Sequence, residues 1–143
     1  MRSFRMALFA DLAPGARTRV FRQLGELVRV VANFRYDGIS LAVDDPFFVA
    51  DAAYTVKSIT GRVETAATDL GAVTATIRKA ASGTAIASGT ALHSGSFDLK
   101  GAAATNQALT VTVTTLAAGE AICFDLTGIA TAGAGVITVV LEA

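Results

Sequence analysis

Tryptophan is absent from this chain, which also has one cysteine, one histidine and only two prolines in 143 residues. A single Cys123 excludes an internal disulfide and any zinc site built on several thiolates. Within Ala121-Ile122-Cys123-Phe124-Asp125-Leu126 it reads as a small, half-buried strand residue. Charge is sparse as well: charged residues make up 17%, twelve bases balance twelve acids, and the formal net charge is +0. Neutrality of that kind speaks against a chain that binds nucleic acid or another polyanion over its whole surface. No apolar run approaches the roughly 20 residues that span a bilayer, so no membrane segment is expected. The opening Met1-Arg2-Ser3-Phe4-Arg5 imitates the start of a secretion signal, but the apolar stretch Met6-Ala7-Leu8-Phe9-Ala10 is cut by Asp11. That is short of the ~7–15 residues of an export core, and no secretion signal is expected.

Catalytic signatures are missing too. His93 stands in Leu92-His93-Ser94-Gly95, a turn-like setting that suggests an exposed loop histidine. A hydrolase triad would have to recruit Ser94 or Ser96 with Asp98 or Asp125, without the Gly-x-Ser-x-Gly elbow that presents a nucleophile. Pairing His93 with Cys123 has no supporting motif. Asp44, Asp45 and Asp51 come nearest to a carboxylate cluster, yet lack the ligand spacing and turn glycine of a calcium loop. They read as a polar turn before Pro46, with Phe47-Phe48-Val49 entering the core. Neither a P-loop nor a dinucleotide-binding glycine motif occurs. The chain is expected to be no enzyme and to need no cofactor or metal.

What is present is apolar and small. Hydrophobic residues make up 52% of the chain, and Ala, Thr, Gly and Val dominate. From about Asp37 onward the pattern has period two. Val73, Ala75 and Ile77 alternate with Thr74, Thr76 and Arg78; Leu109, Val111 and Val113 alternate with threonines; Ile122, Phe124 and Leu126 alternate with Cys123, Asp125 and Thr127. Ile137, Val139 and Leu141 form one row near the end of the chain, with Val136, Thr138 and Val140 on the other. Rows of this kind put one face of a sheet in the core and the other in solvent. Between Tyr54-Thr55-Val56 and Ile59-Thr60-Gly61-Arg62-Val63 the phase slips by one, which a bulge near Lys57 or Ser58 would absorb. Asp69-Leu70-Gly71, Ala81-Ser82-Gly83, Ser88-Gly89, Ser94-Gly95, Ala118-Gly119 and Ala132-Gly133-Ala134-Gly135 supply turn chemistry. Gly101-Ala102-Ala103-Ala104 reads as a strand that buries little. Many short strands with regular turns predict an all-β fold, an antiparallel sandwich of jelly-roll type, preceded by a short helical or extended arm.

Charge divides the chain in two. Residues 1–35 hold seven arginines against Asp11 and Glu26, a net of +5; residues 36–143 hold five bases against ten acids, a net of −5. Val20, Leu24, Leu27, Val31 and Phe34 are spaced four, three, four and three, which predicts a helix over 17–35 and a candidate oligomer contact. A strand over 27–34 would have to place Val28, Val30 and Val31 on both faces. Arg17, Arg19, Arg22 and Arg29 are the candidate partner contacts, since such asymmetry hints at an acidic neighbour. The expected units are an arm at 1–35 and a sandwich at 36–143.

The runs 53–63, 69–80, 83–92, 96–101 and 116–128, from Ala53-Tyr54-Thr55-Val56 to Asp125-Leu126-Thr127-Gly128, carry a resemblance. They resemble small β-sandwich domains of tailed-bacteriophage virions, especially capsid decoration and head-fibre proteins, and those of phage-derived particles such as gene-transfer agents. The resemblance covers the last two thirds of the chain. It implies a non-enzymatic structural protein, made in the bacterial cytoplasm and placed on the outer surface of the virion. It also implies a homo-oligomer, a trimer by preference, with the major capsid protein or another virion protein as partner. Attachment through residues 1–35 is our own expectation. The alternative is a receptor- or glycan-binding module of a fibre or tail, for which Tyr36, Tyr54 and a few Phe are the only aromatic platforms.

Overall fold

The period-two rows become the inner walls of two packed sheets. A computed structural model describes residues 29–39 and 44–143, which form ten strands. Sheet A contains β1 (Arg29–Ile39), β3 (Tyr54–Thr65), β7 (Thr105–Leu109), β8 (Thr115–Leu116) and β10 (Ala130–Glu142). Sheet B contains β2 (Asp44–Val49), β4 (Thr74–Ala80), β5 (Thr90–Ala91), β6 (Phe97–Asp98) and β9 (Ala121–Thr127). The strand orders are β1-β10-β3-β7, with β8 also on β3, and β2-β9-β4-β5, with β6 also on β4. All pairings are antiparallel. The chain switches sheet at six of the nine connections between these strands, and this order defines a jelly roll.

The interior is built from the rows read in the sequence. Val73, Ala75 and Ile77 from the β4 side lie beside Ile122, Phe124 and Leu126 of the neighbouring β9 in sheet B, and Val56, Ile59, Ile137, Val139 and Leu141 of sheet A complete the core, all buried. Each fully buried large side chain contributes about 1.5–3 kcal/mol relative to exposure. The phase slip in β3 is a bulge: Val140 pairs with Ser58 and Leu141 with Val56, so Lys57 is the extra residue. Its ammonium lies 3.0 Å from the Glu142 carboxylate.

The helix expected over 17–35 is replaced by strand over its last seven residues, and 17–28 lie outside the described residues. β1 pairs with β10 from Arg29↔Glu142 to Asp37↔Ala134, so the boundary expected at 35/36 falls inside β1. The physical reason is a second period in the same residues. Ala32 and Tyr36 are buried and Val30 and Phe34 are partly so, forming one inward row, while Val31 is 52% exposed on the other face. Val31 and Phe34, three apart, share a face on a helix but not on a strand.

Three smaller expectations also change. The polar turn before Pro46 is already strand from Asp44, and Pro46 is accommodated because β2 is an edge strand. A register shift between Pro46 and Phe48 turns both Phe47 and Phe48 toward the interior, while Val49 is exposed. The stretch 101–104 is a turn segment outside the strands, with Ala104 in the left-handed region. Residues 132–135 lie within β10 instead of forming a turn; the turn before it is at Gly128, where φ is 88°.

Gly135 answers to close approach. A Cβ built there would collide with the Arg62 carbonyl oxygen and with the Tyr36 hydroxyl. The Tyr36 phenol fills that space; burial pushes its pKa to about 12, and its hydroxyl has no protein partner among the described residues. Gly135→Ala is expected to cost about 3 kcal/mol, at the upper end of overpacking effects. Urea unfolding measures this, and an unchanged midpoint would show that Tyr36 does not occupy the place described.

Candidate functional site

His93 is a core residue, 4% exposed, where an exposed loop residue was expected. The bridge to Val111 brings it under the sheet edge. Its Nε2 accepts a hydrogen bond from the Ile77 N–H at 2.9 Å, which leaves the proton on Nδ1, 3.3 Å from the Ser94 carbonyl oxygen. Both ring nitrogens thus serve the backbone, which is a structural role. Cys123 is buried on the outer side of β9, and burial raises its thiol pKa. Among the described residues, no group of three or more His, Cys, Asp or Glu side chains is placed to hold a metal ion. Nor, among them, is any helix long and apolar enough to cross a membrane.

The polar side chains of the outer faces pair with one another. On sheet B, Asp44 lies opposite Asp125, which forms an ion pair with Arg78, and the Arg78 guanidinium also donates to the Gly89 carbonyl at 3.0 Å. Loss of solvent and then the Asp125 charge raise the Asp44 pKa, against the pull of Arg78. On sheet A, Arg62 donates to Glu64 at 2.9 Å and to Asn106 at 3.2 Å, and Thr138 donates to Asn33 at 2.7 Å. Asp51 accepts from the Tyr54 hydroxyl at 2.5 Å. The aromatic residues offered as sugar platforms are not free: Tyr36 is buried, and Phe34 stacks on Phe124 with ring centroids 4.4 Å apart.

A lysine braces the loops at each end of the sandwich. At the end where β4 starts and β9 stops, Lys100 Nζ donates to the Asp69 carbonyl at 2.6 Å and the Gly71 carbonyl at 3.0 Å. The Asp69 carboxylate accepts from the Thr131 N–H at 2.6 Å. At the opposite end, Lys79 Nζ donates to the Thr115 carbonyl at 2.9 Å and to Glu120 at 3.0 Å. Glu120 also accepts from the Ala117 N–H, the larger cause of its lowered pKa. Both braces join segments far apart in sequence, and no local motif announces them.

Of the candidate partner contacts, Arg29 is exposed at the start of β1, beside Glu142, while Arg17, Arg19 and Arg22 lie outside the described residues. Of the candidate oligomer stripe, Val20, Leu24 and Leu27 also lie outside them. Val31 faces outward and Phe34 packs into the core, so these two do not share one contact surface. β1 begins at the Lys79 end of the sandwich, and that is where residues 1–28 join it.

No family model and no curated protein matches the chain. Its fold is similar to that of a chain in the cyanophage Pam1 capsid asymmetric unit, with a TM-score of 0.53 and 14% identity over 80% of this chain and 83% of that one. A chain in the acidic stable capsid structure of Helicobacter pylori bacteriophage KHP30 matches with a TM-score of 0.49 and 12% identity, over 82% of this chain and 90% of that one. At such identities the likeness is one of fold.

The buried imidazole makes stability depend on pH. Desolvation, reinforced by the Arg78 charge, lowers the His93 pKa in the folded chain, while hydrogen bonds to Ser94 and Gly95 oppose it. The unfolded chain, with a histidine pKa of about 6.5, therefore takes up the proton first. The contribution of neutral His93 is complete above that pH and declines as acid is added. Urea midpoints are expected to fall between about pH 7.5 and 5.5, and His93→Gln, less stable at the outset, should flatten that decline. A wild-type profile that is flat over this range would contradict the buried neutral ring.

Proposed function

We propose that the chain is a non-enzymatic structural protein of a tailed-phage or phage-derived virion, decorating or projecting from the capsid and attached through its Arg-rich N-terminal segment. The observation that carries this reading is the jelly-roll strand order, an architecture that viral capsid domains use. The fold likeness to a chain of the Pam1 capsid asymmetric unit, over most of both chains, supports it. So do the polar groups of the sandwich, which are engaged with one another and with loop backbone. The glycan-binding alternative has no such support, since among the described residues Tyr36 and Phe34 are packed in the core and Tyr54 is hydrogen-bonded to Asp51.

In this reading the anchor is residues 1–28, with Arg29 at its junction to β1. That segment holds five arginines against Asp11 and Glu26, so its partner is an acidic surface of the major capsid protein or another virion protein. The chain acts there as a homo-oligomer, for which the family resemblance favours a trimer.

Particles purified from cells that make the chain should contain it at a fixed ratio to their major protein. Replacing Arg17, Arg19, Arg22 and Arg29 with Gln removes up to four exposed ion pairs, each worth roughly 0.2–1 kcal/mol. Co-sedimentation should then weaken by about tenfold or more, and the remainder should be released at lower salt. Absence of the wild-type chain from particles would overturn the reading. Unchanged attachment of the variant would overturn the arginine anchor.

A further inference from the structure

Exposed large apolar side chains among the described residues are few: Val31, Val49, Leu70 and Ile129. Three of the four lie at the two ends of the sandwich. Leu70 and Ile129 mark one end, in the β3–β4 and β9–β10 connections, which the Thr68–Thr131 and Asp69–Thr131 hydrogen bonds tie together. Val49 marks the other, where β2 ends and β9 begins.

Leu70 is fully exposed. Its loop is nonetheless held from two sides, since Lys100 binds the carbonyls before and after it and the Asp69 carboxylate binds Thr131. Leu70 stands there with Ile129 and the exposed Ala72, Ala102 and Ala103, beside the exposed Lys100 and Asp98. An apolar side chain presented on a braced loop has little ordering entropy left to lose on contact.

The opposite end carries an apolar groove. Pro46, Val49, Ala80, Ile86, Ala121 and Cys123 contribute to an open groove of about 340 Å³ whose lining carries no charged side chain. Its rim is also fixed: Gly119 N–H donates to the Ala50 carbonyl at 2.7 Å, Ala50 N–H to the Glu120 carbonyl at 2.9 Å, and Lys79 holds the Glu120 carboxylate. An exposed leucine on a braced loop and an uncharged, largely apolar groove thus stand at opposite ends of the sandwich.

We propose that the groove takes the Leu70 tip of a second copy of this chain, making a head-to-tail joint. A joint of this type uses two different surfaces, so it closes into a ring or extends into a polar string, depending on the rotation per copy. Residues 1–28 join the sandwich at the groove end, so in a string the junction at Arg29 recurs at the same end of every copy. The other grooves fit this role less well: those on the outer face of sheet A are lined by Arg35, Arg62, Glu64 and Asn106, and a leucine there would strand charged groups from water. The joint is independent of the virion reading, since it needs only the two ends of the chain.

The test uses the full chain, with Leu70→Asp for the knob and Val49→Asp for the groove. Both positions are exposed, so both variants should keep the wild-type unfolding midpoint to within a small shift. Sedimentation velocity over a concentration series should show self-association of the wild type. Each variant should weaken it by at least about tenfold, as expected when a charge replaces a side chain buried in the contact. An equimolar mixture should form 1:1 dimers and nothing larger, because the Leu70→Asp chain keeps its groove and the Val49→Asp chain keeps its knob. A Leu70→Cys chain mixed with a Val49→Cys chain should form a mixed disulfide under mild oxidation, with buried Cys123 left out. Four results would overturn the joint: a wild type that stays monomeric at millimolar concentration, self-association that survives either charge variant, mixed variants that do not pair, or a cysteine mixture that does not cross-link.

Discussion

The stack of Phe34 on Phe124 holds the two sheets in register. Phe34 comes from β1 at the edge of sheet A and Phe124 from the middle of sheet B, with ring centroids 4.4 Å apart and planes inclined by 25°. Tyr36 lies on the same ring at 6.2 Å, and Phe47 meets Phe34 at 5.5 Å. Offset aromatic contacts of this kind add about 0.5–1.5 kcal/mol each beyond area burial. Their larger consequence is geometric. Once Phe34 and Tyr36 point inward, strand alternation fixes the facing of every other β1 residue, and Gly135 is the position that makes room for Tyr36. β1 then belongs to the sandwich from Arg29 onward, and residues 1–28 join it at the end that carries the Lys79 brace.

With so much of the core made of small and β-branched residues, the loops depend on charged side chains bonded to their backbone to stay in place. Lys79 and Lys100 each tie loop carbonyls, and Lys79 also engages Glu120, itself held by a backbone N–H. Arg78 does the same for the 81–89 segment through Gly89, while its pairing with Asp125 anchors it to sheet B. Charged groups that a binding protein would direct at a ligand are here directed at the protein's own backbone.

Much of this fold was legible in the sequence. β4, β9 and the second half of β10 carry unbroken period-two rows, and the slip between Val56 and Ile59 announced the Lys57 bulge because a missing phase has only a few structural remedies. β1 was not legible, since its inward row of Val30, Ala32, Phe34 and Tyr36 shares Phe34 with a four-three stripe, and alanine and tyrosine weigh little in a hydrophobic pattern. Gly133 and Gly135 were read as a turn because one residue type serves both positive φ and close approach. The burial of His93 was hidden for another reason: its partner is the Ile77 amide, and every residue but proline has one. The Leu70 tip shows in the sequence only as turn chemistry, because the Lys100 that braces it lies some 30 residues away.

Arg29–Ile39 is a strand of the sandwich and not part of the arm. Thermal and urea unfolding of chains 29–143 and 36–143 tests it most directly. The longer chain should unfold cooperatively with a midpoint close to that of the full chain. The shorter one loses seven residues of β1, including Ala32 and Phe34, and should be unfolded or destabilised by several kcal/mol, as expected for large core deletions. Equal stability of the two chains would contradict the account and return residues 29–35 to the arm.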